Sequence, residues 1–224
     1  MTEQLKEALS AVVDGEADVF ELRRVLDEVG RSEELTEAWR RYHLIGERLR
    51  GREDEDYPVF LERFRNCDGL AGARSVLCLG ARIGTEVKAL HELGYFAVGM
   101  DLNPGADNPY VLPGDFHGLV FPDGSVDVVY TNCLDHVFDL ERFTAEVRRV
   151  LRPGGLFIAD VLEGYEEGVT PGNYEARHWA RAEDLVNELC KLGGFELEKL
   201  RDTEKMRGRD KMQDHVRQAT LRKP

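Results

Sequence analysis

Two glycines and a carboxylate, each placed after an apolar run, have the types and spacing to bind a nucleoside. The apolar run Ser75 to Leu79 leads directly into Gly80, and Gly84 follows four residues later, before a helical pattern. Between a strand and a helix, such a turn lets backbone N–H groups approach a ligand where a Cβ would clash. A second run ends in Asp101, about twenty residues after the first glycine, where a carboxylate accepts both ribose hydroxyls. The alternative for Asp101 is a cap at the end of a strand.

A second group of residues could move a proton. Asp135 and His136 come shortly after another buried apolar run, which residues 121–130 introduce with a turn. A carboxylate beside an imidazole can orient the ring to take a proton from a hydroxyl group. In the alternative interpretation, Asp135 caps the next helix and His136 packs beneath a loop. The sequence alone leaves both open.

A substrate lid is the interpretation that we favour for residues 164–179. This stretch is rich in aromatic and polar side chains and has little periodicity, as is typical of an insertion that closes over a small polar molecule. Its candidate substrate contacts are Tyr165, Tyr174, Glu175, His178 and Trp179. They could equally well do no more than close the domain.

The elements that must position these residues alternate between strand and helix. After a short helix at 59–65, strands are predicted at 75–79, 96–100, 110–112, within 121–130 and at 156–161, with an amphipathic helix at 140–151 that a turn at 152–155 ends. Runs at 195–203 and 215–221 fit an antiparallel pair. This order predicts an α/β fold with a doubly wound, mostly parallel sheet whose ligands bind at the carboxyl edge of the strands.

The N-terminal part of the chain has a different pattern. Apolar residues at helical spacing, separated by stop and cap signals, predict a three-helix domain at 1–51. An acidic run that a proline ends marks a linker at 52–58, and the α/β domain occupies 59–224. Because about fifty residues bury little surface, the helices should pack on the rest of the chain, on a second copy or on another protein.

Composition excludes several classes of function. The formal net charge of −13 argues against a nucleic-acid binder. No apolar run approaches the roughly 18 to 20 residues that a membrane helix needs, and the acidic start of the chain is unlike a signal peptide. The four cysteines form no C-x-x-C pair, so neither a zinc site nor a disulfide framework is indicated. We expect a cytoplasmic protein that binds neither membrane nor nucleic acid.

Several ordered motifs of the α/β region resemble the class I S-adenosylmethionine-dependent methyltransferases, specifically their type 11 branch. They are V-L-C-L-G-A-R-I-G-T, G-M-D-L-N-P, G-D-F, F-P-D-G-S-V-D-V-V-Y-T-N and E-V-R-R-V-L-R-P-G-G-L-F. The resemblance implies a seven-stranded Rossmann-like sheet and S-adenosylmethionine as cofactor. It implies that Gly80, Ala81, Arg82 and Gly84 line the methionine and ribose portion, Asp101 binds the ribose, Leu102 packs on adenine, Asp115 meets its amino group, Phe116 flanks the ring, and Asn132 faces the transferring methyl.

The first of these motifs departs from the family pattern at two positions. Cys78 stands where an acidic residue is common, and Arg82 stands where the middle glycine is usual. The lost acid is an anchor near the amino end of the methionine, and Arg82 brings positive charge near a sulfonium. The domain could therefore be a pseudoenzyme or have rearranged contacts. Arg82 could hold the methionine carboxylate, reach an anionic substrate or face solvent.

The N-terminal helices resemble the cytoplasmic N-terminal domain of RseA-type anti-sigma-E factors. The resemblance rests on A-L-S-A-V-V-D-G-E-A-D-V-F-E-L-R-R-V-L and A-W-R-R-Y-H-L-I-G-E-R-L-R-G, at residues 8–26 and 38–51. In that family the domain binds an extracytoplasmic-function sigma factor and a membrane helix follows it, whereas an acidic linker follows here. A docking or dimerisation cap is the alternative.

Together these features predict an enzyme that moves a methyl group from S-adenosylmethionine to a small molecule, with Asp135 and His136 as its catalytic residues. The N-terminal domain could bind a sigma factor. The alternative is a regulatory protein without catalysis, in which the N-terminal domain binds the sigma factor and the α/β domain senses S-adenosylmethionine or acts as a scaffold. A homodimer is a further open alternative.

Overall fold

The computed structural model describes residues 57–105, 108–162, 176–203 and 216–224, together with four single helical residues nearer the N-terminus, namely Leu5, Ala8, Val25 and Glu28. The predicted three-helix domain and most of the predicted linker otherwise lie outside the described residues. Leu5, Ala8 and Val25 are buried and belong to the same apolar cluster as one face of the sheet. This burial is expected if the N-terminal segment packs on the rest of the chain, which is one of the three alternatives that the sequence left open.

The described residues form four helices and seven strands, numbered in chain order. The helices are α1 (Tyr57–Arg65), α2 (Thr85–Glu92), α3 (Leu140–Val150) and α4 (Ala182–Gly193). The strands are β1 (Ser75–Leu79), β2 (Phe96–Asp101), β3 (Val111–Pro113), β4 (Val126–Thr131), β5 (Leu151–Leu162), β6 (Glu196–Asp202) and β7 (Val216–Arg222). None of the helices in the described ranges is long and apolar enough to cross a membrane.

The seven strands form one sheet in the order β3-β2-β1-β4-β5-β7-β6. The first five are parallel, and β7 lies antiparallel between β5 and β6. The predicted doubly wound, mostly parallel sheet is confirmed. From β1 the chain winds outward to β3 and then returns to the other side with β4, so the strand order reverses between β1 and β4. A crevice at the carboxyl edge of the sheet opens at such a switch point.

Each face of the sheet has its own apolar core. On one face, Phe143 of α3 packs against Phe157 of β5, with ring centroids 6.0 Å apart. On the other, Phe64 of α1 meets Tyr130 of β4 edge-on at 4.9 Å. Helices on both sides therefore cover the central strands, which accounts for their continuous apolar runs.

Two element starts differ from the sequence prediction in ways that change the account of the chain. Helix α1 begins at Tyr57, inside the predicted linker. Strand β5 begins at Leu151 rather than at residue 156, so that the predicted turn at 152–155 lies within a strand. The reason is an irregularity in the pairing with β4, where Val126 faces Leu151 but Val128 already faces Leu156.

A buried ionic network ties α1 to the sheet. The Asp160 carboxylate accepts hydrogen bonds from Arg63 at 2.5 Å, from the Tyr130 hydroxyl at 2.6 Å and from the Gln218 amide at 2.9 Å. The Arg63 and Asp160 side chains are 3% and 2% exposed. Four elements (α1, β4, β5 and β7) thus meet at one carboxylate, next to the carboxyl end of β4.

His91 on α2 makes the stability of the protein depend on pH. It is buried, its Nε2–H donates to the Ala97 carbonyl at 2.7 Å, and burial lowers its pKa to about 4. Because the unfolded chain binds a proton near pH 6.5 and the folded chain does not, stability is complete above about pH 6.5 and is lost as pH falls towards 4. The full loss would be about 3 kcal/mol.

We therefore expect the free energy of unfolding in urea to fall between about pH 7 and about pH 5. The variant His91→Gln should remove most of this slope, because glutamine does not titrate. An unchanged slope in the variant would contradict the assignment to His91.

Candidate active site

The glycine turn between β1 and α2 is held by the protein's own packing. Gly80 and Gly84 have φ values of +71° and +80°. A Cβ on Gly80 would lie 2.1 Å from Cys133 Sγ, and one on Gly84 would lie 2.6 Å from the Cβ of Tyr110. Both glycines are therefore required by the close approach of neighbouring loops, whereas the sequence suggested the approach of a ligand as the reason.

The backbone donors of this turn are already used within the protein. The N–H groups of Gly80 and Ala81 donate to the Met100 carbonyl at 2.9 and 3.2 Å, and that of Gly84 donates to the Ala81 carbonyl at 2.6 Å. The N–H of Arg82 donates to the Asp101 carboxylate at 3.0 Å. Four of the five N–H groups in 80–84 are thus occupied. The turn can therefore leave space for a ligand, but it has few free N–H groups to donate to one.

Asp101 caps the end of β2, and its carboxylate keeps further acceptor capacity. One carboxylate oxygen accepts the Arg82 N–H and the other accepts the Asn103 N–H at 2.8 Å, so the residue caps the end of β2. A carboxylate has about four acceptor positions, which leaves capacity for two ribose hydroxyls. Leu102, the next residue, is 68% exposed. An apolar surface therefore lies beside the carboxylate, as a nucleoside site requires.

The predicted adenine end is built around Asp115. One of its oxygens accepts both the backbone N–H and the Nδ1–H of His117, each at 2.8 Å. Partial burial raises the pKa of Asp115, but these hydrogen bonds outweigh burial and leave the pKa below its usual value. Because His117 holds the first oxygen, the orientation of the carboxylate is fixed. The second oxygen accepts no hydrogen bond from the described residues.

Sequence reasoning missed His117. Its imidazole is buried, lies 3.8 Å from the ring centroid of Phe138 and accepts the Asp139 N–H on Nε2 at 3.4 Å. It fixes the orientation of Asp115 and couples it to the start of α3. The available signal was its place two residues after Asp115, from which a side chain reaches back to the preceding carboxylate.

Phe116 differs from its predicted role. Its side chain is buried and packs edge-on against Phe143, with ring centroids 5.4 Å apart. The phenyl ring thus lies in the apolar core below the edge of the sheet, because burial there removes more apolar surface from water than an open rim does.

Asp135 and His136 lie in a short 3₁₀ helix after β4, at the switch point. The distance from His136 Nε2 to Asp135 Oδ2 is 3.7 Å, too long for a hydrogen bond but suitable for an ion pair once the ring is protonated. The His136 side chain is 46% exposed. It does not pack beneath a loop, and the cap of α3 is Asp139, which accepts the Arg142 N–H at 3.0 Å. Both structural alternatives for the pair are therefore wrong.

The chain returns to Asp135 at residues 176 and 177. The Asp135 carbonyl accepts the N–H groups of Ala176 and Arg177 at 2.7 and 3.0 Å. Trp179 is buried and donates its indole N–H to the Leu162 carbonyl at 2.9 Å, which joins the two ends of the segment 163–175. Its ring lies in the core, so the predicted substrate contact of Trp179 is corrected to a structural one.

The other predicted substrate residues fall into two groups. His178 is partly buried beside Trp179 and has a contact within the chain. Tyr165, Tyr174 and Glu175 lie outside the described residues. Asn132 is exposed at the end of β4, where the prediction places it.

The cysteines near the site are held as neutral thiols. Burial raises the pKa of Cys133 to about 12, and it raises the pKa of Cys78 well above its usual value. Neither is a nucleophile, because the thiolate is the reactive form. No group of three or more potential metal ligands occurs among the described residues. The carboxyl edge of the sheet carries the predicted partners of the ribose, the adenine ring and its amino group, namely Asp101, Leu102 and Asp115.

Comparison with known proteins finds a family model that matches each of two parts of the chain. The family described as "Methyltransferase domain" matches residues 77–159, and the family described as the N-terminal domain of anti sigma-E protein RseA matches residues 3–59. Residues 77–159 thus match a methyltransferase domain, and the comparisons support the predicted cofactor, S-adenosylmethionine.

Three similar proteins show how far the likeness extends. A protein of Mycolicibacterium smegmatis described as "Probable S-adenosylmethionine-dependent methyltransferase" is 29% identical in an alignment 177 positions long, which covers 69% of this chain and 66% of that protein. The sigma factor AlgU negative regulatory protein of Pseudomonas aeruginosa is 57% identical over 42 residues, 19% of this chain and 22% of that one. This chain thus spans less than two thirds of either relative.

The third similar protein is a solved structure. It is the 1,6-didemethyltoxoflavin-N1-methyltransferase of Burkholderia thailandensis with bound S-adenosylhomocysteine. Its TM-score is 0.58 at 19% identity, over 92% of this chain and 91% of that one. At this identity the likeness shows the fold.

Proposed function

We propose that this protein is an enzyme that transfers a methyl group from S-adenosylmethionine to a small-molecule acceptor. The observation that carries the proposal is the gathering of Asp101, Asp115 and the Asp135–His136 pair at one edge of the sheet, around the switch point between β1 and β4. The match to the methyltransferase domain family supports it. Such an enzyme would work in the cytoplasm.

Methyl transfer is an in-line displacement, for which the bound cofactor supplies an electrophilic methyl on a sulfonium. The chain has to bind the cofactor and the acceptor, align them with each other and exclude water from the site. Asp101 would hold the ribose, while Asp115, fixed by His117, would hold the adenine amino group. The exposed imidazole of His136 would take the proton of an acceptor hydroxyl, and Asp135, 3.7 Å away, would stabilise the imidazolium that forms.

A search for the methyl acceptor tests the proposed function. The full chain is incubated with S-adenosylmethionine carrying an isotopically labelled methyl group and with a pool of cellular small molecules, and the products are analysed by mass spectrometry. The proposal predicts a labelled small molecule together with S-adenosylhomocysteine in equal amount. If neither appears although the cofactor binds, the regulatory alternative without catalysis is supported instead.

The role of His136 has its own test. With the acceptor identified, His136→Gln is expected to lower kcat by a factor of about 10² to 10⁴, as loss of a general base does. Affinity for S-adenosylhomocysteine should not change, because His136 lies on the acceptor side. Asp68→Asn, a change at an exposed carboxylate outside the site, serves as control. Equal kcat values in the wild type and His136→Gln would contradict the assignment.

Sigma-factor binding is a second candidate function, for the N-terminal segment. The family match at 3–59 and the likeness to the AlgU regulator favour it. Full-length protein is mixed with purified extracytoplasmic-function sigma factors, and complexes are isolated by size-exclusion chromatography. The matched control is a double variant of the segment, Arg40→Glu together with Arg41→Glu, in which two positive charges become negative. We expect one sigma factor to co-elute with the wild type and less with the control, whereas no co-elution would argue for an internal docking cap.

A further inference from the structure

We propose that Arg82 binds the carboxylate of the amino-acid portion of S-adenosylmethionine, an inference that rests on the function proposed above. The juxtaposition behind it is that Arg82 lies on the glycine turn with an exposed side chain, while its backbone N–H donates to the Asp101 carboxylate that would hold the ribose. The anchor of the methionine would thus lie at its carboxylate end instead of its amino end.

The backbone of Arg82 is the first argument. Its φ of +42° makes it the one residue other than glycine with positive φ in the described ranges. A side chain in this conformation costs roughly 1–2 kcal/mol, which glycine avoids. Asp101 accepts the Arg82 N–H at 3.0 Å and the Asn108 amide donates to the Arg82 carbonyl at 3.1 Å, so the strained peptide is held from both sides. Strain that is retained in this way points to a role for the side chain.

The freedom of the guanidinium is the second argument. Arg63, Arg149 and Arg152 all pair with carboxylates in this structure. The side chain of Arg82 is exposed and has no hydrogen bond or ion pair with any described residue. A planar guanidinium binds a carboxylate through two parallel hydrogen bonds. Arg82 is therefore ready to bind an anion at this edge of the sheet.

The charges of the ligand decide which group it binds. The cofactor carries a sulfonium, an ammonium and one carboxylate, and an arginine is attracted only to the last of these. Four of the five N–H groups in the turn 80–84 are already occupied, so the backbone there has little left to offer a carboxylate. Cys78, a buried neutral thiol, provides no anion for the ammonium. The amino-acid portion therefore needs a side-chain partner, and Arg82 is placed to be that partner.

The test compares ligands with and without the amino-acid portion. Calorimetry with the full chain uses S-adenosylhomocysteine, S-adenosylmethionine and 5′-methylthioadenosine, which has the nucleoside but no carboxylate. Arg82→Gln is expected to weaken binding of S-adenosylhomocysteine about 10- to 100-fold, the range for a hydrogen bond to a charged group. Binding of methylthioadenosine should be unchanged. S-adenosylmethionine should lose less affinity than S-adenosylhomocysteine, because the repulsion between Arg82 and the sulfonium is removed as well.

Two variants complete the experiment. Arg82→Lys keeps the charge and should retain part of the affinity, whereas Arg82→Gly relieves the backbone and should raise the midpoint of thermal unfolding while losing affinity as Arg82→Gln does. The role of Arg82 would be overturned if Arg82→Gln lowered the affinity for S-adenosylhomocysteine and for methylthioadenosine equally. It would also be overturned if the affinity for S-adenosylhomocysteine did not fall. Failure of the wild type to bind any of the three ligands would instead contradict the proposed function.

Discussion

Replacing Asp101 by alanine is expected to weaken binding of S-adenosylhomocysteine by a factor of about 10² to 10⁴. Two hydrogen bonds from ribose hydroxyls to a carboxylate contribute roughly 1.5–3 kcal/mol each. The substitution also frees the N–H groups of Arg82 and Asn103, which Asp101 now holds at 3.0 and 2.8 Å. Both effects act in the same direction, so Asp101 should be the most sensitive position of the cofactor site.

The matched control at this position is Asp101→Asn. Asparagine keeps one oxygen as acceptor but has lost the charge, so its affinity should lie between those of the wild type and Asp101→Ala. Thermal unfolding without ligand separates a lost contact from a damaged turn. If both variants bound the ligand as the wild type does, Asp101 would be only the strand-end cap that the sequence also allowed.

Replacing Asp160 by alanine is expected to lower the free energy of unfolding by about 3–5 kcal/mol. Removing one partner of a buried ion pair leaves the other charge uncompensated, and here the Arg63 guanidinium is 3% exposed. The hydroxyl of Tyr130 and the amide of Gln218 lose their acceptor at the same time. Urea unfolding monitored by circular dichroism measures the change.

A surface pair of the same chain provides the control. Asp68 accepts a hydrogen bond from Lys199 at 2.7 Å, and both side chains are exposed. Asp68→Asn should leave the unfolding midpoint unchanged, because solvent screens such pairs. Asp160→Asn, which keeps one acceptor, should fall between Asp160→Ala and the wild type. A loss for Asp160→Ala no larger than that for Asp68→Asn would show that the network does not hold α1 on the sheet.

The sequence predicted the strands well where helices cover both faces of the sheet. The runs at β1 and β2 are apolar throughout because helices pack on both sides, so their ends were predicted within one residue. The start of β5 was not, since proline and two glycines at 153–155 have the composition of a turn. Only the pairing with β4 shows that they form an irregularity inside a strand.

The position of a site residue could be predicted where its type and its place directly after a strand decide where it lies. Asp101 and the Asp135–His136 pair follow strands directly, so the strand order alone brings them to one edge. Trp179 and Phe116 were predicted at the ligand, yet their burial depends on tertiary contacts with Leu162 and Phe143 that no local pattern shows. His117 was missed although its place two residues after Asp115 was a signal, because its burial against Phe138 depends on a tertiary contact.

Calorimetric titration of the full chain with S-adenosylhomocysteine tests the central claim most directly. The reaction product has the nucleoside and the amino-acid portion but no reactive methyl group, so binding is measured without turnover. We predict saturable binding of one molecule per chain, which Asp101→Ala weakens by a factor of about 10² to 10⁴. The absence of any binding at about millimolar ligand, which corresponds to less than roughly 4 kcal/mol of binding free energy, would contradict the assignment of the edge between β1 and β4 as a cofactor site.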